Sequence, residues 1–457
     1  MSTSMQTKDM TQGNALKHIF FFAIPLFIGN IFQQIYNLVD TMIAGHHLGD
    51  NAIASIGATS TVFSLIMSFA TGLNTGYTII VTQHFGAHND EQFKKSTSAL
   101  VILNAAIGLL ITVTAIFLLK PVMRFLNVPD SIYAQAYRYI LIICIGMPAT
   151  MAYNMFAGFL RAVGNSRTPL YFLILSSLLN IGMDFLLIVG FNMGVSGAAL
   201  ATVLAQICSA VFCGLYIWKN YAPILPHGNY ICRDKKIYKD MLSAGAAMAM
   251  MNCIFSIGSV IMQRAINSLN ETIITAHTSA RKIIEMSFQP LGSIAAATST
   301  FTGQNWGAGH IKRIETTLRK IIVIGVIWGT VTALVIFAFG ERLIILMTGT
   351  TDPVIIDNAV MNLRINFFFY PSLSILLTLR MSMQAIGQKI PPLFSSSLEM
   401  AVKFIAAFLI VPRYGYLGAS LAEPLTWLLC SILLGSIYLA TKKNYFNLPE
   451  AEDPPHP

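Results

Sequence analysis

Charge is the scarcest commodity in this chain. Only 11% of its 457 residues are Asp, Glu, Lys or Arg, against about 25% in a soluble domain. With 55% hydrophobic residues and a mean hydropathy of +0.64, that excludes a water-soluble globule and indicates an all-α polytopic membrane protein. Cysteine is sparse too: Cys144, Cys208, Cys213, Cys232, Cys253 and Cys430 are scattered, with no C-x-x-C among them, so neither a disulfide framework nor a zinc site is indicated. Histidine forms one pair, His46-His47, whose short loop fits a surface pair better than a metal site. No G-x-x-x-x-G-K-[ST] loop exists, which argues against ATP coupling. Neither H-E-x-x-H nor G-x-S-x-G occurs, which argues against a membrane-embedded enzyme.

The formal net charge of +9 does not point to nucleic acid, because the basic residues form no continuous patch with interleaved aromatics. They cluster between apolar segments, as in cytoplasmic loops. Residues 1–17 are polar, and the first apolar segment is too long for a signal-peptide core, so it reads as a membrane span.

Apolar segments fall at 18–45, 52–82, 97–119, 132–160, 168–190, 196–218, 240–266, 272–302, 318–340, 354–386, 392–411 and 415–440. Each is long enough to cross a bilayer as a helix, which gives twelve transmembrane helices. With the amino terminus inside, 18 loop Lys and Arg fall inside and only Lys120, Arg124, Arg342 and Arg413 outside. Both termini are therefore expected to be cytoplasmic, in a multi-pass plasma (inner) membrane protein.

The halves repeat. Gln83-His-Phe-Gly86-Ala87 matches Gln304-Asn-Trp-Gly307-Ala308. Ala162-Val-Gly164 with Pro169-Leu170 matches Ala385-Ile-Gly387 with Pro392-Leu393, and Gly194-Val-Ser-Gly197-Ala198 matches Gly415-Tyr-Leu-Gly418-Ala419. The offset is 221 to 223 residues each time. Six spans per copy make the repeats parallel, related by an axis along the membrane normal. The expected organisation is a tail (1–17), an amino-terminal lobe (18–218), a basic linker (219–239), a carboxy-terminal lobe (240–441) and a second tail (442–457).

Two carboxylates interrupt the apolar runs. Asp40 lies in span 1 and Asp184 in span 5. A carboxylate near the middle of a span costs roughly 2.5–3.5 kcal/mol on insertion scales and usually has a task. Gln33, Asn37 and Asp40 are spaced i, i+4, i+7 and share a helix face with Tyr36 at its edge, while Asn180 and Asp184 are spaced i, i+4. Asp40 and Asp184 each lie about 9 Å below the outer ends of their helices, and Thr202 of span 6 falls at similar depth. Two carboxylates at one depth in a low-dielectric setting cannot both ionise cheaply, which suits a proton carrier. With amide and hydroxyl oxygens added, the set at Asp40, Asp184 and Asn180 could instead hold Na⁺. The plainer alternative is that Asp40 bonds a neighbouring backbone.

Other ionisable groups in spans are Arg281 and Glu285 at i, i+4, Glu399 and Lys403 at i, i+4, Lys282, His277, and Glu423 beside Pro424. The two i, i+4 pairs either neutralise themselves or contact substrate; Glu423 has no local partner and is a candidate substrate contact. Gly197, Ala201 and Ala205 form a small-residue stripe suited to close helix packing. Pro25 removes a helical hydrogen bond from span 1 and is a candidate hinge about 22 Å from Asp40.

The twelve spans, the Gln-x-x-Gly-Ala turns, and Ala-x-Gly-x-x-x-x-Pro-Leu after span 4 together resemble the multidrug and toxic compound extrusion (MATE) family from about Leu16 to Tyr445. Gln33-Gln34-Ile-Tyr36-Asn37-Leu-Val-Asp40, with Asn180 and Asp184, is similar to its DinF-like branch. The NorM-like branch has an acid within span 7, where Ala246-Ala-Met-Ala-Met-Met-Asn252 here has none. The resemblance implies a secondary antiporter that exports organic, often cationic and amphipathic compounds in exchange for H⁺ or Na⁺. It implies no other cofactor, and the protein is expected to work as a monomer in contact with membrane lipids. It also adds Asn154 of span 4 to the ion site. Gln33, Gln34, Tyr36, Asn37, Arg281, Glu285 and Glu423 are the candidate substrate contacts. A lipid-linked saccharide flippase is the alternative within transport; it would be expected to show more spans and a more basic cavity.

Overall fold

Helices dominate because a backbone surrounded by hydrocarbon must satisfy its own N–H and C=O groups. The computed structural model describes residues 7–126, 128–226 and 230–446, and among these it contains no strand. Residues 1–6 and 447–457 of the expected tails, and 227–229 of the expected linker, lie outside the described residues.

The helices are α1 (Ala15–Leu48), α2 (Asp50–Gly86), α3 (Asp90–Phe125), α4 (Asp130–Ala162), α5 (Arg167–Asp184), α6 (Val195–Tyr221) and α7 (Lys235–Asn267). They continue with α8 (Glu271–Gly307), α9 (Ile311–Thr348), α10 (Pro353–Phe368), α11 (Tyr370–Ala385), α12 (Ile390–Ile405) and α13 (Val411–Phe446). Among the described residues, nine helical segments are long and apolar enough to span a membrane, with α10 and α11 making a tenth that bends by 50°. Pro371, at the start of α11, cannot continue the ladder across that bend. Ile390–Thr441 is 52 residues long, enough for two spans, and Gly415 at φ 57° divides it. The remaining helix, α8, carries Arg281, Lys282 and Glu285 and is the most polar. Among the described residues the count is twelve, in an all-α architecture.

The repeated sequence motifs are the same turns made twice. Gly164 after α4 and Gly387 after α11 have φ of 83° and 86°, and Gly194 before α6 and Gly415 have φ of 62° and 57°. Only glycine enters that left-handed region without steric cost. Gly164 has a second duty: a Cβ there would lie 2.1 Å from the carbonyl oxygen of Lys8, whose N–H donates to Val163 O at 2.9 Å.

The chain forms two compact units, residues 1–9 with 24–249 and residues 10–23 with 250–457. In the first, α4 packs along α2, α3 and α6. A Cβ on Gly72 would sit 2.5 Å from Ala249 Cα, and one on Gly76 2.4 Å from Gly245 N, so α2 and the start of α7 touch backbone to backbone. On α6, Ala201 and Ala205 are fully buried and the stripe they form is a packing surface. In the second unit α11 lies against α8, α9 and α13. There Gly329 permits the close approach, since its Cβ would meet Pro371 N at 2.8 Å. Met10 is seated in this unit: its N–H donates to Gln304 Oε1 at 2.9 Å, and its carbonyl accepts from Asn305 at 3.1 Å and Arg313 at 3.2 Å. Gln304 of the repeated Gln-x-x-Gly-Ala turn thereby anchors the chain ahead of α1.

Candidate functional site

In the first unit, α1, α5 and α6 bring the polar residues of three spans together. Asp184 ends α5, is fully buried, and leads directly into a π-helical turn, Phe185–Gly190. Such turns inside helices are common at functional sites. The carboxyl groups of Asp40 and Asp184 lie within hydrogen-bond reach of each other. A hydrogen bond between two carboxyl groups requires that one keeps a proton, because an ionised carboxylate only accepts. Each leaves one buried oxygen, Oδ1, without a partner.

The neighbours complete the arrangement. Asn180 donates to Asp184 Oδ2 at 3.1 Å and accepts from the Thr202 N–H at 3.1 Å; the opposite amide orientation would set its oxygen against the carboxylate. Thr202 Oγ1 donates to Ala198 O at 3.1 Å, and the Tyr36 hydroxyl is within hydrogen-bond reach of Thr202. Tyr139 of α4 lies in the field of both aspartates. Among the described residues, the groups acting on the two carboxyls include no basic side chain. A mobile cation or a proton can neutralise the pair. Among the described residues no group of three or more His, Cys, Asp or Glu is gathered as metal ligands.

Asp40, Asp184, Asn180, Thr202 and Tyr36 are thus brought together. Asn154 is half-buried on α4 and makes no hydrogen bond to the pair. Gln33, Gln34 and Asn37 are exposed on α1. Pro25 sits within an unbroken α1, one residue past the junction at which that helix passes from one unit to the other. Tyr139 went unnoticed in the sequence, where nothing marks it off from the tyrosines around it.

In the second unit the acids are matched by bases. Arg281 Nε donates to Glu285 Oε1 at 2.8 Å. Glu399 accepts from Lys403 Nζ at 3.1 Å and from Arg380 Nη2 at 3.2 Å, so the i, i+4 pair is in fact a buried triad. Arg380 was readable as the lone charge between Arg364 and Lys389. Glu423 lies 4.0 Å from Lys403 and within electrostatic reach of Arg281. His277 faces Tyr416, its Nδ1 3.4 Å from the hydroxyl. Lys282 is exposed.

Repeated helical halves with buried carboxyls inside spans define a multi-pass membrane transporter. The MatE family profile matches residues 25–186 and 247–409, and the chain belongs to that family, whose members are transporters and not enzymes. Among curated proteins it is similar to the probable multidrug resistance protein YpnP of Bacillus subtilis, with 27% identity over 84% of this chain and 85% of that one. It is also similar to the probable multidrug resistance protein YoeA of the same organism, with 25% identity over 75% and 76%. A crystal structure of a MATE transporter in complex with MaL6 superimposes with a TM-score of 0.87 at 23% identity, covering 96% of this chain and all of that one, which supports the fold.

Proposed function

We propose that this protein is a secondary antiporter of the plasma membrane that exports organic, cationic and amphipathic compounds in exchange for protons. The Asp40–Asp184 pair is its coupling site. The observation that carries the choice of proton is the approach of the two carboxyls to within hydrogen-bond reach of each other, with no basic side chain acting on them among the described residues. Loss of the shared proton would place two like charges in a low-dielectric site, so binding and release of that proton are coupled to how the helices surround it. Export is supported by the names of similar proteins, YpnP and the multidrug export protein MepA of Staphylococcus aureus, 20% identical over 91% of this chain.

In this reading Tyr36, Asn180 and Thr202 position the pair, Tyr139 joins them, and Asn154 lines the same helix cluster. Gln33, Gln34 and Asn37 on α1, and Arg281, Glu285 and Glu423 in the second half, contact substrate. Pro25 lets α1 reorient when Asp40 changes protonation. Both termini lie in the cytoplasm, following the Lys and Arg asymmetry of the loops, and the unit of function is a monomer.

The test is uphill export in everted vesicles energised by either a pH gradient or a Na⁺ gradient. The expected result is accumulation of an organic cation driven by the pH gradient alone. Accumulation driven by Na⁺ alone assigns the site to Na⁺ instead, and accumulation with neither gradient contradicts secondary antiport.

A further inference from the structure

Glu399 of α12 is doubly paired, yet Lys403 is buried beside it as though for another purpose. Arg380 already neutralises Glu399 at 3.2 Å and is itself fixed by Nε donating to Ser395 Oγ at 3.2 Å. Lys403, with its side chain 1% exposed, is a second cation at a carboxylate that has one. Burying it is costly unless the ammonium has further partners. It has two. Glu423 Oε1 of α13 lies 4.0 Å from Nζ, and the Phe255 ring of α7 presents its face with the centroid 4.4 Å away.

The sequence makes room for this placement. A Cβ on Gly258, one turn along α7 from Phe255, would lie 2.9 Å from Lys403 Cδ. The glycine admits the aliphatic stem and lets the ammonium reach the ring. A carboxylate and an aromatic face around one positive charge are the components of a receptor for an organic cation. Of the two acids, Glu423 is the accessible one, with its side chain 31% exposed against 5% for Glu399. A carboxylate exposed to that degree on a membrane span faces a polar or ligand-accessible space and not hydrocarbon.

We propose that Lys403 is a tethered occupant of a cation site made by Glu423 and Phe255, and that a cationic substrate displaces it. The substrate's positive centre takes the place against Glu423 and the ring, while the lysine ammonium withdraws to Glu399. This rests on the reading that the protein moves organic cations, and it adds the device that sets their affinity: substrate competes with an internal cation, so binding is weakened and release made easy. Because Glu399 keeps Arg380, removal of Lys403 does not strand a buried carboxylate.

The test is equilibrium binding of ethidium, a fluorescent organic cation, to the purified full-length protein, with a neutral aromatic dye of similar size as control. Lys403→Met should bind ethidium about tenfold more tightly than wild type, Lys403→Arg should match wild type, and Glu423→Gln should bind about tenfold more weakly. The neutral dye should not distinguish Lys403→Met from wild type. Equal or weaker ethidium binding by Lys403→Met overturns the proposal, as does a gain shared by the neutral dye. Should Lys403→Met fail to fold, unchanged ethidium affinity in Glu423→Gln overturns it alone. A wild-type protein that exports cations while the variants bind alike leaves the transport function standing and removes only this assignment. A wild-type protein that neither binds nor exports them removes both.

Discussion

The two units solve the problem of intramembrane carboxylates in opposite ways. In the first, Asp40 and Asp184 face each other with hydroxyl and amide groups around them and, among the described residues, no basic side chain acting on either. In the second, Glu399 has Arg380 and Lys403 within 3.2 Å, and Glu285 has Arg281 at 2.8 Å. One backbone feature recurs. A π-helical turn follows Asp184 at Phe185–Gly190 and recurs at Ala406–Ile410, an offset of 221 residues that matches the repeated motifs. Measured from that turn, Ile405 stands where Asp184 stands. One fold thus carries an acid site whose countercharge must come from outside and another whose countercharges are built in. The first is suited to coupling and the second to fixed structure and to substrate.

That contrast can be broken by substitution. The largest effect is expected from Asp40→Asn and Asp184→Asn, each of which keeps shape but removes the titrating charge. Uphill export in vesicles should fall to background at matched protein level, with folding intact, and near-normal export in either variant would remove that residue from the coupling site. Glu399→Gln should act on stability first. It takes the carboxylate from buried Arg380 and Lys403, and loss of one partner of a buried ion pair costs about 3–5 kcal/mol, to be read as early thermal unfolding in detergent. A variant as stable as wild type would mean that the triad is not what holds α11 to α12.

Smaller effects probe the edges of each site. Pro25→Ala supplies the amide hydrogen that the helix lacks at that turn and should slow turnover several-fold while leaving substrate affinity near wild type; unchanged turnover across pH would show that α1 does not bend in the cycle. Glu285→Gln should matter least to stability. Its side chain is 51% exposed and that of Arg281 35%, and exposed pairs contribute about 0–1 kcal/mol. A loss of several kcal/mol, measured by the same thermal unfolding, would place the pair in a far more desolvated setting.

How much of this is legible in the sequence depends on whether the signal is local. The spans, the repeat and the turns are, since an apolar run, a left-handed glycine and a fixed offset are all written along the chain. Asp40 and Asp184 stood out because a charge in an apolar run is conspicuous wherever it packs. Their mutual approach was less visible: equal depth on two helices permits it without fixing how those helices are turned. Tyr139 was invisible because its role comes from a neighbour on another helix. Glu399 and Lys403 read as a self-contained pair because i, i+4 spacing is local, whereas Arg380, Phe255 and Glu423 join them only through packing.

The central claim is that the first-unit carboxyl pair carries the coupling proton. It is tested most directly by the protons exchanged when an organic cation is added to purified, weakly buffered protein containing a pH-indicating dye. The account predicts about one proton released per cation bound by wild type, unaffected by Na⁺, and none by Asp40→Asn or Asp184→Asn. Proton release of wild-type size from both variants, or wild-type release abolished by Na⁺, would contradict it.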